Sequence, residues 1–141
     1  MNDRVFLAMA GVGALACAVV HTAALLGAPA GFEVSFLLMA GCILVWWRAL
    51  VAARKEFGAA DAKALWSGMA KHSPAWVMHA FHPLVLYFGL YWAWVLYVAF
   101  GQKGKPSAQL MSLFYSAGAF VFYVYAAAFL RASGRSNIER K

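Results

Sequence analysis

Acidic residues are scarce in this chain, whose 141 residues include five Asp and Glu against twelve Lys and Arg. Glu33 stands at the edge of a long apolar run, and the other four acids lie outside such runs. Proton and ion paths through a membrane use acids inside the helix bundle. Hydrolysis by a Ser-His-Asp set needs an acid beside its histidine. The scarcity therefore disfavours both functions.

Cysteine is also scarce, since Cys17 and Cys42 are the only two and they do not form a CxxC pair. Two isolated cysteines do not make a disulfide framework. We interpret both as small packing residues. The alternative, a disulfide or a metal pair, has no nearby His or acid to complete a site.

Polar sequence is short throughout, because 65% of the residues are hydrophobic and 12% are charged. No polar stretch exceeds about 20 residues, which is too short to bury a core of its own. A separate soluble domain is therefore not expected. The net charge of +7 does not predict nucleic-acid binding, because the cations cluster at the ends of apolar runs, where they set topology and meet anionic lipid.

Four long apolar runs fill the rest of the chain, at residues 5–28, 32–53, 74–100 and 108–130. Each is at least about 20 residues, which as a helix crosses a hydrocarbon core roughly 30 Å thick. Backbone polar groups in lipid must pair within the segment, so these runs are helices. The sequence predicts an all-α, integral membrane four-helix bundle forming one domain, 1–141. The first run is longer than the apolar core of a signal peptide and is expected to remain as a span.

The distribution of cations predicts the orientation of the bundle. With both termini cytoplasmic, two cations, Lys103 and Lys105, face the far side and ten face the cytoplasm. Such an excess follows the positive-inside rule. The ten are Arg4, Arg48, Arg54, Lys55, Lys63, Lys71, Arg131, Arg135, Arg140 and Lys141. The Ala- and Gly-rich composition favours a bacterial inner membrane.

Two polar segments flank the second half of the bundle. Residues 54–73 mix apolar and charged side chains, which predicts a short interfacial helix over 62–71 with Asp61 as its N-cap. Residues 131–141 form a basic tail outside the last span, expected to be disordered or lipid-bound.

The third span carries the most unusual residues. Ser73 and Pro74 are expected to be its N-cap and first helical residue. Pro83 lacks an N–H, so the carbonyl of His79 loses its partner and a kink is expected there.

Small residues on the first span motivate the leading functional hypothesis. Ala10, Ala14 and Ala18 repeat at four-residue spacing, and such faces let helices approach closely in lipid. No catalytic set is identifiable in the chain. The sequence therefore predicts a non-catalytic subunit, or an accessory or assembly component, of a larger membrane complex. Its partner is another membrane subunit or a second copy, docked on this alanine face.

A redox-linked membrane anchor is the alternative hypothesis. Counting about 1.5 Å per residue puts two histidines roughly 6–12 Å below the cytoplasmic edge of the membrane. Aromatic and basic residues reach a similar depth from other spans, so a quinone or haem could bind to an inner-leaflet cluster. The cluster comprises His79, His82, Tyr125, Arg48 and Trp46. A haem held by two histidines is disfavoured, because His21 lies more than about 10 Å out of level with His82. A small channel or transporter lined by Ser and Tyr hydroxyls is a second alternative.

Overall fold

The computed structural model describes residues 3–57, 62–101 and 107–139, and within them the chain is helical with no strand. Four helices are long and apolar enough to cross a membrane, which confirms the predicted all-α class and the number of candidate spans. The shorter α3 lies between the second and third of these. The helices are α1 (Asp3–Leu25), α2 (Phe32–Phe57), α3 (Ala62–His72), α4 (Ala75–Gly101) and α5 (Ala108–Glu139).

The last helix is longer than the sequence predicts. The sequence places 131–139 in a tail, but α5 continues through these residues to Glu139. Ala132 and Ser133 are buried, and the hydroxyl of Ser133 donates to the Phe129 carbonyl at 3.0 Å. Packing at these positions extends the helix. A helix is present as α3 where the sequence predicts one over 62–71, while its location at a membrane interface stays a prediction. Asp61 and the side chains of Leu65 and Trp66 lie outside what the structure describes.

The fold is organised around α5, which packs against α1, α2 and α4. In the most apolar stretch of α5, 61% of the residues are buried, against 6% for α4. The side-chain amide of Gln109 donates to the Ala24 carbonyl at 2.8 Å, so α5 begins beside the end of α1. We call this the turn end of the bundle. The opposite end, where α1 begins and α5 finishes, is the terminal end.

A glycine ends α1 and lets the chain reverse. Gly27 has a φ of 84°, a conformation that costs glycine little. The N–H of Ala28 donates to the Ala23 carbonyl at 2.9 Å, and that of Gly27 to the Ala24 carbonyl at 3.1 Å. These two bonds are the Schellman motif, which satisfies carbonyls left free at a helix end.

The start of α4 differs from the prediction. The N–H of Val77 bonds to the Pro74 carbonyl at 3.0 Å, so Pro74 is the N-cap and Ser73 precedes it. The prediction that Ser73 caps the helix is therefore wrong. Its hydroxyl is instead buried and makes no hydrogen bond with the described residues. Pro83 lies within α4, which runs through it without interruption.

A buried tyrosine fills the space between three helices. Tyr123 of α5 is 4% exposed, and its hydroxyl donates to the Leu38 carbonyl of α2 at 3.1 Å. Gly13 of α1 and Gly41 of α2 face it so closely that a methyl group at either would overlap its side chain. Two missing Cβ atoms therefore make room for one phenol.

The small residues of α1 serve the packing of the chain itself. Ala10 and Cys17 are fully buried, as is Cys42 of α2, and both cysteines are free thiols. This confirms their interpretation as packing residues. Ala14 is half-buried and Ala18 exposed. Ala10 is therefore covered within the bundle, and docking of a partner on the alanine face stays a prediction.

Candidate functional site

A histidine joins three helices by hydrogen bonds in the half of the bundle near the turn end. His21 of α1 places its Nδ1 atom 2.9 Å from the Ser116 hydroxyl of α5. Its Nε2 atom lies 2.6 Å from the Tyr87 hydroxyl of α4. An ionisable residue in the middle of an apolar helix is a functional candidate by default, and here both ring nitrogens are engaged.

The neighbouring hydrogen bonds indicate which groups donate and which accept at His21. The Ser116 hydroxyl lies 2.7 Å from the Ser112 carbonyl and 3.2 Å from that of Leu113. A hydroxyl has one hydrogen to donate. Since it serves these carbonyls, its oxygen accepts from Nδ1–H of His21. In the neutral ring Nε2 is then the acceptor, so Tyr87 donates to it. With a neutral imidazole, the hydrogen bonds therefore run from Tyr87 to His21 to Ser116.

Aromatic rings hold the imidazole in place. The His21 ring meets the Tyr87 ring edge-on at a centroid distance of 5.9 Å, and the Tyr91 ring at 5.7 Å. The two tyrosine rings lie 4.9 Å apart. Edge-to-face contacts of this kind are favourable. The histidine therefore packs against two tyrosine rings from successive turns of α4.

A cavity of about 230 Å³ opens beside the hydrogen-bonded chain. This is below the roughly 300–1,000 Å³ of pockets that enclose a drug-sized molecule, so the cavity fits a single ring or headgroup. The Thr22 hydroxyl donates to the Ala18 carbonyl at 2.9 Å, which leaves its oxygen as an acceptor. The wall includes Cys17, His21, Thr22, Leu84, Tyr87 and Phe120.

This cavity is one half of a longer groove. Both α1 and α4 pack on α5 but have hardly any backbone contact with each other. A groove floored by α5 therefore runs between them. A second cavity of about 340 Å³ lies in the same groove near the terminal end, with Leu7 and Gly11 on one wall, Trp76 on the other and Arg131 on its floor.

The five residues of the predicted inner cluster make several different contacts. Trp46 and Tyr125 share one neighbour, the ring of Phe129, at centroid distances of 5.2 and 6.4 Å. The Tyr125 hydroxyl donates to the Val77 carbonyl at 3.0 Å. Arg48 is paired with Asp3 at 2.5 Å.

The two histidines of that cluster, His79 and His82, are exposed on α4. No cavity described for the molecule has either of them in its wall. Cofactor binding by the cluster stays a prediction. Among the described residues, no group of three or more His, Cys, Asp or Glu is close enough to hold a metal ion.

Sequence reasoning missed the His21 site because it compared His21 with other histidines alone. A count of residues from the turn end gives the signal that was available. His21 lies four residues before the end of α1, and Ser116 eight residues after the start of α5. These positions differ by about 6 Å in depth at 1.5 Å per residue, within reach of one side chain.

No protein-family model matches the chain, and comparisons with curated proteins and with solved structures found no significant match. The fold and the site therefore define its class by themselves. The part of the chain that the structure describes has no strand and contains four helices of membrane-spanning length, and it carries a hydrogen-bonded histidine beside a groove.

Proposed function

We propose that this protein crosses a membrane four times and binds a neutral, lipid-soluble ligand of the quinone class at His21. The observation that carries the proposal is the hydrogen-bonded chain of Tyr87, His21 and Ser116 beside a cavity between two apolar helices. This retains the quinone-binding hypothesis and moves its site from the predicted inner cluster to the groove.

The surface around the groove favours a ligand that arrives from lipid. Val12, Leu15 and Val19 of α1 are 61–70% exposed. Contiguous exposed apolar surface of this extent is unfavourable in water. In a bilayer it is solvated by acyl chains. A molecule entering between α1 and α4 therefore comes from the hydrocarbon phase.

The hydrogen-bonded chain suits a headgroup that alternates between carbonyl and hydroxyl. In the direction inferred above, Tyr87 donates to His21 and its oxygen remains an acceptor for a quinol hydroxyl. If the direction of the hydrogen bonds reverses, the Ser116 hydroxyl no longer donates to the carbonyls of Ser112 and Leu113. It donates instead to Nδ1 of His21. Nε2–H then donates to Tyr87, whose hydrogen becomes free for a quinone carbonyl. Both directions keep the histidine neutral, as a low-dielectric site requires.

Binding of decylubiquinone tests the proposal. Tritiated decylubiquinone is titrated against purified protein in nanodiscs, with empty nanodiscs as background. His21→Leu removes both ring hydrogen bonds, and Tyr87→Phe removes the hydroxyl that faces the cavity. A hydrogen bond contributes about 0.5–1.5 kcal/mol net, so each variant is expected to weaken binding by roughly 3- to 10-fold.

His79→Leu is the matched control, because it makes the same chemical change at an exposed histidine of α4. It is expected to bind as the unaltered protein does. Equal affinity in the His21 and His79 variants would contradict the proposed site. If the unaltered protein shows no saturable binding of decylubiquinone, the proposed ligand class is rejected.

A second function, membership in a larger membrane assembly, is favoured by the exposure of α4. Its most apolar stretch is 6% buried, less than in any other long helix of the described chain. We propose that a transmembrane partner, either a second copy or another subunit, covers this helix. This is the subunit role predicted from the sequence, with α4 replacing the alanine face of α1.

Native mass spectrometry after gentle detergent extraction tests the assembly. The expected mass exceeds the 15.3 kDa of one chain. Leu86→Ala on α4 is expected to shift the population toward the single chain, whereas Leu37→Ala on α2 is not. The two leucines are similarly exposed, at 64% and 68%. A lone monomer at native expression levels would argue against any such partner.

A further inference from the structure

We propose that the terminal end of the groove is a binding site for one anionic phospholipid, with its phosphate at Arg131 and an acyl chain along the groove. This inference rests on the proposed membrane location, but not on the quinone-type ligand. The two occupants would use opposite halves of the same groove.

Charge complementarity supports an anionic headgroup. Arg131 is the one charged residue in the wall of the 340 Å³ cavity. Its side chain is exposed, and it forms no ion pair with the described acids. A guanidinium binds phosphate through two parallel hydrogen bonds, and in an anionic phospholipid no headgroup cation competes with it for the phosphate. Among the described residues, the cation therefore has no acidic partner at this apolar space.

The start of α4 adds neutral donors at the same end. Pro74, the N-cap of α4, forms part of the cavity wall, whereas Ser73 beside it does not. The first N–H groups of α4 lie here too, at the positive end of the helix dipole.

The rest of the cavity fits an acyl chain. Its α1 wall combines Leu7 with the small residues Ala10, Gly11 and Ala14, which leave a smooth channel. Trp76 stands on the α4 wall and is 63% exposed. Tryptophan prefers the boundary between headgroups and hydrocarbon. Headgroup donors, an indole and an apolar channel thus follow one another along the groove, in the order of the parts of a phospholipid.

Selective lipid retention tests the proposal. Delipidated full-length protein in detergent is incubated with equimolar palmitoyl-oleoyl phosphatidylglycerol and the phosphatidylcholine with the same chains. Native mass spectrometry then counts the adducts of each. The unaltered protein is expected to retain one phosphatidylglycerol preferentially. Arg131→Gln is expected to lower the ratio of the two adducts about fivefold, the effect of losing ~1 kcal/mol from one cation near a headgroup.

Two further variants separate the site from general surface charge. Arg54→Gln makes the same change at an exposed cation of α2 away from the groove, and it is expected to keep the preference. Gly11→Leu places a larger side chain in the channel wall, where no atom lies within 4 Å of a Cβ built at Gly11. It is expected to reduce retention of both lipids. Circular dichroism confirms that each variant is folded.

Three outcomes would overturn the proposal: no preference in the unaltered protein, equal losses in Arg131→Gln and Arg54→Gln, or full retention in Gly11→Leu. His21→Leu is expected to retain phosphatidylglycerol normally, and Arg131→Gln to bind decylubiquinone normally. The failure of one proposal is therefore distinguishable from the failure of the other.

Discussion

Gly13→Ala and Gly41→Ala are both expected to destabilise the bundle, and Tyr123→Phe is expected to rescue only the second. A methyl group at Gly13 would overlap ring carbons of Tyr123. At Gly41 it would overlap the hydroxyl oxygen alone, since the nearest ring carbon is 3.7 Å away. Overpacking costs typically 1–3 kcal/mol, and the ring cannot easily move because it is buried and bonded to Leu38.

Titration with sodium dodecyl sulfate in mixed micelles, followed by circular dichroism, measures the free energy of unfolding. Each glycine variant is expected to lose about 1–3 kcal/mol. Tyr123→Phe alone is expected to lose about 1 kcal/mol with its hydrogen bond. Combined with Gly41→Ala it should lose little more, whereas combined with Gly13→Ala the two losses should add.

Gly11→Ala is the control for the glycine-to-alanine change itself. No neighbouring atom lies within 4 Å of its Cβ position, and alanine favours a helix over glycine by about 1 kcal/mol. A neutral or stabilising effect is therefore expected. Rescue of Gly13→Ala by Tyr123→Phe, or no loss in either buried variant, would contradict the placement of the Tyr123 ring between α1 and α2.

The four long helices could be predicted from the sequence because length and hydropathy alone determine them. Their mutual arrangement could not, since each run is apolar on all sides and no polar stripe shows which face is buried. Nothing in the apolar pattern of 108–130 identifies α5 as the central helix. The one available signal is its small buried residues, Ser112, Ser116 and Ala117, which permit close approach from several sides.

The candidate site was missed for a related reason. Depth counts locate a residue along a helix, but they do not say which neighbours it faces. His79 and His82 were grouped with Tyr125 by depth, whereas the Tyr125 hydroxyl meets Val77, five residues before His82. His21 was compared with a distant histidine rather than with hydroxyl groups at its own level. Registers between helices depend on close packing at glycine and serine, which composition does not reveal.

We expect both termini to lie on the cytoplasmic side, and reporter fusions test this because each reporter is active on only one side of the membrane. An even number of spans would put the termini on one side, and the sequence predicts that ten of the twelve cations lie on that side. In a bacterial host, green fluorescent protein fused after Lys141 should fluoresce, and alkaline phosphatase at the same point should be inactive. The phosphatase needs disulfides, which form in the periplasm and not in the cytosol.

Fusions after residue 104 provide the internal control, because the sequence predicts this segment to lie on the far side. There the phosphatase should be active and the fluorescent protein dark. An active phosphatase after Lys141 would contradict the orientation but not the insertion. Release of the protein into the supernatant by alkaline carbonate would contradict insertion itself. It would also remove the basis of both ligand proposals, because the quinone and the phospholipid reach the groove only from the bilayer.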